Sequence, residues 1–325
     1  MKEAPPRTPE WEKALSAFPE NIRDDIDSVW ENRGVFAAET VSRIVGASQI
    51  EIGALMMQLL PLAKLYAVVP LSGYKVGAVA AGGPIAGTSS CNLYLGANFE
   101  FSNAALSFTA HAEQAVTNNA WLSGEYGLQM LAINAAPCGY CRQFLYELVT
   151  AQELMILLPD PNNPLGHSAN PLATFLPNAF GPDALGVKGG LMDFALCSHA
   201  LALTNGSPAD PLIDAALQAA SSSYAPYATD KSFNYAGVAV QLADGKIYAG
   251  RHAENAAYNP SLSPLESALT FMNMGQPLTA TRTVRRCVLV EVPTLASQRS
   301  ATKAALAAYA AGVVLEYHTA RIVAG

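Results

Sequence analysis

The sequence predicts an α/β layered sandwich, present in two copies and preceded by a helical segment. Three observations predict it. Short apolar runs of strand character alternate with stretches of helical periodicity, the pattern of sheets covered by helices. A similar order of strand and helix patterns recurs in both halves of the chain. Between the halves, residues 159–190 are rich in Pro, Gly and Asn, the composition of a linker. At 325 residues and 51% hydrophobic content, the chain is long and apolar enough for two cores.

Taken in order, residues 1–10 carry three prolines and read as a loose tail. Ile22, Ile26, Val29 and Trp30 fall on one helix face. Ser48 and Glu51 have the spacing of a capping box, followed by a helical stripe of Ile52, Leu55, Met56, Leu59 and Leu60 that Pro61 is expected to end or kink. Residues 74–80 and 91–95 read as strands around a turn containing Gly82, Gly83 and Gly87. A helix over 111–122, a strand over 130–134, a helix stripe from Phe144 to Val149 and a strand over 154–158 complete the first copy. In the second, strands 235–242 and 246–250 flank Asp244-Gly245, a hairpin signal. A helix over 265–272, a strand over 287–292, a helix over 303–311 and a strand over 313–317 follow. The expected domains are a helical segment over 1–50, a catalytic unit over 51–165, and a linker with a degenerate copy over 166–325.

Charge and composition exclude several functions. Nineteen basic residues face 26 acidic ones, for a net charge of −7, with no basic cluster beyond Arg285-Arg286. Such a chain is ill suited to a phosphate backbone, so nucleic acid is not the expected partner. The longest uncharged apolar stretches, such as 304–315, fall short of the roughly 18 residues a membrane span needs, so no membrane partner is expected. The polar, Pro-rich residues 1–12 do not have signal-peptide character. Five cysteines in so long a chain do not form a disulfide framework, and a reducing, cytoplasmic setting is expected.

Two cysteines, Cys138 and Cys141, form a C-x-x-C pair directly after Pro137. Alone, the pair is compatible with a redox couple, half of a structural zinc site, or coincidence. Upstream, His111 and Glu113 stand at the start of a helix, and the other histidines are isolated far along the chain. Three convergent soft ligands without a fourth describe an open, catalytic zinc site. Two thiolates neutralise the ion, and imidazole fills a third position. A carboxylate two residues from the histidine can face the same pocket without binding the metal.

His-x-Glu followed by Pro-Cys-x-x-Cys is the signature of zinc-dependent nucleobase deaminases. Around it, Tyr74-Lys-Val-Gly-Ala, Gly96-Ala-Asn-Phe-Glu-Phe, His111-Ala-Glu-Gln, Ala120-Trp-Leu-Ser-Gly-Glu and Pro137-Cys-Gly-Tyr-Cys-Arg-Gln resemble cytidine deaminase. The histidine at 111, where small tetrameric relatives usually have Cys, resembles the larger homodimeric class. Leu176 to Pro182 and Ala253 to Pro260 extend the resemblance over roughly residues 50–270. The resemblance implies a three-layer α/β/α cytidine-deaminase-like sandwich, duplicated. It implies hydrolytic deamination of free cytidine and 2′-deoxycytidine in pyrimidine salvage, with one zinc per catalytic domain, in a homodimer. It further implies that His111, Cys138 and Cys141 hold zinc and that Glu113 shuttles protons. Asn98 and Glu100 are implied to hold the ribose, Tyr74 to pack near the base, and the backbone of Ala112, Ala136 and Cys138 to address the pyrimidine edge. Phe180 is implied to reach a neighbouring subunit's pocket. Glu100 also favours a free nucleoside, since a carboxylate repels a phosphate.

The second copy is expected to be inactive. Aligning the copies by sequence puts Pro264 at the place of His111 and Glu266 at that of Glu113, and no second Pro-Cys-x-x-Cys follows. Arg142 reads equally as a support for a cysteine thiolate or as a surface residue. A deaminase of another cytosine compound, and a binding protein keeping a structural zinc, are the alternatives. Glu113 argues against the latter, which has no need of a carboxylate there.

Overall fold

The computed structural model describes residues 8–323 except 86–89, 161, 206–208, 228–231 and 277–281. Gly87 and Pro161, parts of the turn and linker read from the sequence, lie outside the described residues, as do residues 1–7. Pro9 and Glu10 do not belong to a tail. They open helix α1 (Pro9–Ser16), where the Thr8 side chain accepts the Trp11 N–H and Pro occupies the first turn, which needs no donor. The stripe at residues 22–30 is buried at Ile22, Ile26 and Val29, as its spacing requires. It is not one helix, however, but α2 (Arg23–Asp27) between two 3₁₀ turns. A short strand β1 (Val35–Phe36) and helix α3 (Ala38–Ser48) follow.

The expected capping box does not form. Ser48 is the last residue of α3, and Gln49 turns the chain in the left-handed region, φ 56°. Glu51 alone caps the next helix, α4 (Ile52–Leu65), accepting from the N–H groups of Gly53 and Ala54. Pro61 does not end α4, which runs four residues beyond it. Burial of Leu55, Met56, Leu59, Leu60 and Leu62 outweighs the one backbone hydrogen bond that Pro removes.

The first sheet comprises β1, β2 (Gly77–Gly82), β3 (Leu93–Ala97), β4 (Leu128–Ile133), β5 (Met155–Asp160) and β6 (Asn163–Pro171), in the order β1-β3-β2-β4-β5-β6. Helices α5 (Ala112–Leu122) and α6 (Gly139–Leu145) connect its strands, and α7 (Leu172–Phe175) follows it. β6 corrects the linker reading: residues 163–171 pair antiparallel with β5, so the division drawn after residue 165 falls inside a strand of the first sheet. Proline and glycine are tolerated there because β6 is an edge strand.

The second sheet holds β7 (Leu201–Leu203), β8 (Ala236–Leu242), β9 (Ile247–Arg251), β10 (Val284–Glu291) and β11 (Leu315–Ile322), in the order β7-β11-β10-β8-β9. Its helices are α8 (Pro211–Ser221), α9 (Pro264–Met274) and α10 (Arg299–Tyr309). The hairpin at Asp244-Gly245 joins β8 to β9, with Gly245 at φ 84° and the Asp244 carboxylate accepting the Lys246 N–H. β8 is antiparallel to β9 and β10, and β10 is parallel to β11. β2 is likewise antiparallel to β3 and β4, with β4 parallel to β5. The two copies therefore share one topology.

Strand alternation splits β2 between two cores. Val79 and Ala81 face the N-terminal helices and α4, while Ala78 and Ala80 face α5 and the second half. On the far side, α8 covers the second sheet with its own apolar cluster. Each half is thus a three-layer α/β/α sandwich, and α5 and α9 pack together as the helical layer between the sheets.

Candidate zinc centre and substrate pocket

His111 is the N-cap of α5. Its backbone is extended (φ −76°, ψ 161°), and its N–H is accepted by Gln114 Oε1 at 3.0 Å. Cys138 is the N-cap of α6 and Cys141 lies in that helix's first turn. His111 Nδ1 stands 3.2 Å from Cys141 Sγ and 3.7 Å from Cys138 Sγ, and the two sulfurs are 3.6 Å apart. Tetrahedral zinc with ordinary bond lengths would set about 3.8 Å between two sulfurs and about 3.6 Å between sulfur and nitrogen. The triangle fits zinc within a few tenths of an ångström, and among the described residues no other such group of metal donors is assembled.

The donor chemistry agrees. A hydrogen bond from Cys141 and backbone N–H groups of Cys141 and Tyr140 pull the Cys138 thiol down to about 5, against its partial burial. The same hydrogen bond, with burial, pushes Cys141 up. The two sulfurs share one hydrogen bond, whose proton a bound cation would displace.

Glu113, one residue into α5 beyond Ala112, is 3% exposed, and burial raises its carboxyl above the usual range. It lines a cavity of about 410 Å³ together with His111, Ala112, Ala136, Cys138, Tyr74, Asn98 and Glu100. All the residues expected at the substrate site are thus brought together except Phe180. That ring is 47% exposed and stands outside this wall, where its carbonyl accepts Gln143 Nε2 at 2.7 Å.

Asn98 and Glu100 already have partners. Asn98 accepts the Val76 N–H and donates to the Tyr74 carbonyl, both at 2.9 Å, so it clamps the approach to β2. That is why the strand expected from residue 74 begins only at Gly77. Burial would raise Glu100, but hydrogen bonds from Ser72 Oγ and the N–H groups of Leu71 and Ser72 outweigh it and hold the carboxylate below its usual range. Ser72, Val76, Leu106, Thr109, Ile133 and Ala135 complete the wall. Ser72 meets Glu100 across 28 residues of sequence, a pairing that no local pattern announces. Arg142 supports neither thiolate. Its guanidinium donates to the carbonyls of Pro137 (2.7 Å) and Phe175 (3.0 Å), bracing the turn that presents Cys138.

The second half corrects the sequence alignment. Ser263, not Pro264, is the N-cap of α9, and both α5 and α9 begin with a capping box, closed by Gln114 and Glu266 respectively. Glu266 therefore matches Gln114, and Leu265 stands where Glu113 does. Glycines confirm this register: a Cβ on Gly96 would meet Val116 N, and one on Gly250 would meet Ala268 N, again 152 residues apart. Ala78 pairs with Gly96 and Ile133, and Val238 with Gly250 and Leu289. Pro293 thus matches Pro137, and Thr294 and Ser297 fall at the places of the two cysteines. Ser297 donates to buried Glu291, which also accepts from Gln298 N and Tyr317 Oη.

A family profile described as the cytidine and deoxycytidylate deaminase zinc-binding region matches residues 51–157, and a second with the same description matches 172–303. A protein of Aliivibrio fischeri named cytidine deaminase is 41% identical over 309 residues, covering 94% of this chain and 96% of its own. One of Sodalis glossinidius with the same name is 45% identical over 284 residues, covering 85% and 86%. With zinc as its cofactor and two copies of the deaminase fold in one polypeptide, the chain belongs to the cytidine and deoxycytidylate deaminase family of zinc-dependent enzymes.

Proposed function

We propose that the protein hydrolyses free cytidine and 2′-deoxycytidine to uridine and 2′-deoxyuridine, releasing ammonia, in pyrimidine salvage. The observation that carries the reading is the juxtaposition of the His111, Cys138 and Cys141 donors with buried Glu113 in one wall of a nucleoside-sized cavity. In this reading His111, Cys138 and Cys141 hold the metal. Zinc, when bound, supplies the Lewis acidity that makes water a nucleophile near neutral pH.

The chain's own groups do the rest. Glu113 takes a proton from the attacking water and delivers it to the ring nitrogen beside the reacting carbon. It then takes the second water proton and gives it to the exocyclic amine, so the carbon–nitrogen bond breaks as the carbonyl forms. Burial raises the affinity of Glu113 for the proton it must carry. Backbone groups of Ala112, Ala136 and Cys138 address the pyrimidine edge, and Tyr74 packs at the open side. Asn98 and Glu100 form the sugar end. Glu100, held ionised by its three donors, accepts hydroxyls and repels phosphate, which favours nucleosides over nucleotides.

We assign residues 1–50 to a helical segment, 51–171 to the catalytic unit and the remainder to a degenerate copy. We also propose a cytoplasmic homodimer in which Phe180 reaches the partner's pocket. Ultraviolet assays of the zinc-loaded protein test the reading. Both nucleosides should turn over, and dCMP at least about 100-fold less well, a difference of near 3 kcal/mol in transition-state stabilisation. Absence of turnover with either nucleoside overturns it.

A further inference from the structure

We propose that the loop 255–260 of the second half is a positioning device for the zinc centre of the first, acting through Gln114 and Gln143. The proposal rests on the ligand set given above. α5 precedes β4 and α6 follows it in the chain, so the donors come from two separate helices whose relative position must be fixed. One short loop touches both.

At one end, Asn255 is fully buried and donates from Nδ2 to the Gln143 carbonyl at 3.1 Å, two residues beyond Cys141. The Gln143 amide returns to Asn255 Oδ1 at 3.4 Å, and Ala256 N donates to buried Glu147 at 2.9 Å. At the other end, the Pro260 carbonyl accepts Gln114 Nε2 at 3.2 Å, in a buried bond spanning 146 residues of sequence. The opposite end of the same Gln114 amide holds the His111 N–H.

The loop itself is braced. Asn255 Oδ1 accepts the Ala257 N–H, Asn255 N donates to Ser261 Oγ, and Tyr258 N donates to the Asn255 carbonyl. A continuous path of hydrogen bonds and a short turn thus runs from the Cys141 helix to the backbone of His111. Gln114 and Asn255 are positioning residues: they set where donors stand without touching the metal. Groups of this kind change metal affinity by about 10- to 100-fold when removed.

The experiment uses the full zinc-loaded chain and compares Gln114→Met, Asn255→Ala and Asn118→Ala with the parent. Asn118 also bonds the two halves, to the Ser267 carbonyl (2.9 Å) and Thr270 Oγ1 (3.1 Å), but lies on no path to a donor. Zinc release to a chromogenic chelator is followed well below each melting temperature, and the visible spectrum of the cobalt-substituted protein reports donor geometry. Gln114→Met and Asn255→Ala should each release zinc about 10-fold or more faster, and alter the cobalt spectrum. Asn118→Ala should lower the melting temperature while matching the parent in both readouts. Release from the first two no faster than from Asn118→Ala overturns the proposal. Should Gln114→Met not fold, Gln114→Glu keeps the acceptor for His111 N–H, loses the donor to Pro260, and carries the same expectation. A parent chain without zinc, or Cys138→Ala with full zinc, would instead overturn the ligand set.

Discussion

Two glutamates in one cavity are tuned in opposite directions. Glu100 has three hydrogen-bond donors and stays ionised; Glu113 is stripped of water and holds its proton more tightly. In the proposed reaction, environment and not residue type would set one to binding and the other to proton transfer. Glu113→Gln should keep the shape and the full zinc content, since its carboxylate is not among the donors. Turnover should fall by about 100- to 10,000-fold, the range of a lost general acid–base. Metal analysis beside the ultraviolet assay checks both halves of this expectation.

At the level of elements, α5 and α9 each lie directly on a glycine, Gly96 and Gly250. A Cβ on Gly96 would sit 2.3 Å from the backbone nitrogen of Val116, in mid-α5, and a helix backbone cannot yield as a side chain can. Gly96→Ala should therefore push α5, with His111 and Glu113, off the sheet. A cost of about 1–3 kcal/mol is the ordinary range for overpacking, seen as a melting temperature several degrees lower. Turnover should fall with it. Gly83→Ala, where a Cβ meets nothing within 4 Å among the described residues, is the control and should leave both nearly unchanged. Thermal unfolding of the two variants decides.

Across the whole molecule, the degenerate half contributes buried acids that couple stability to pH. Burial raises Glu266 and Glu254 to about 7. Their folded values exceed the unfolded ones, so their stabilisation is present below about pH 4.5 and is lost as pH rises through 7. His252, lowered by burial to about 4, opposes them: its contribution is present above 6.5 and lost as pH falls through 4. Glu266→Gln keeps the α9 capping box, because Gln closes such a box as Glu does. It removes one titration worth up to about 3 kcal/mol. Stability measured by denaturant between pH 5 and 8 should decline less steeply in this variant, with the rate of deamination at pH 7 unchanged.

The sequence by itself pointed to the zinc chemistry and to the duplicated α/β order of the main elements. The cluster of His111, Cys138 and Cys141, with Glu113 beside it, was legible because metal chemistry demands particular residue types at particular spacings. Strands β2–β5 and β8–β11 and helices α4, α5, α9 and α10 were legible because burial imposes a period on apolar residues, whereas β1, β6, β7, α1, α3 and α8 were not. Tertiary structure decided what those rules leave open. Ser48 ends a helix instead of capping one, and residues 163–171 form a strand despite a linker's composition, because each segment's partners lie elsewhere in the chain. Only the paired caps and glycines show that Glu266 matches Gln114 and not Glu113. Ser72 on Glu100, Arg142 on Phe175 and Pro260 on Gln114 are likewise invisible in sequence. A hydrogen bond between distant segments depends on where folding brings them, and a linear pattern records only what is near along the chain.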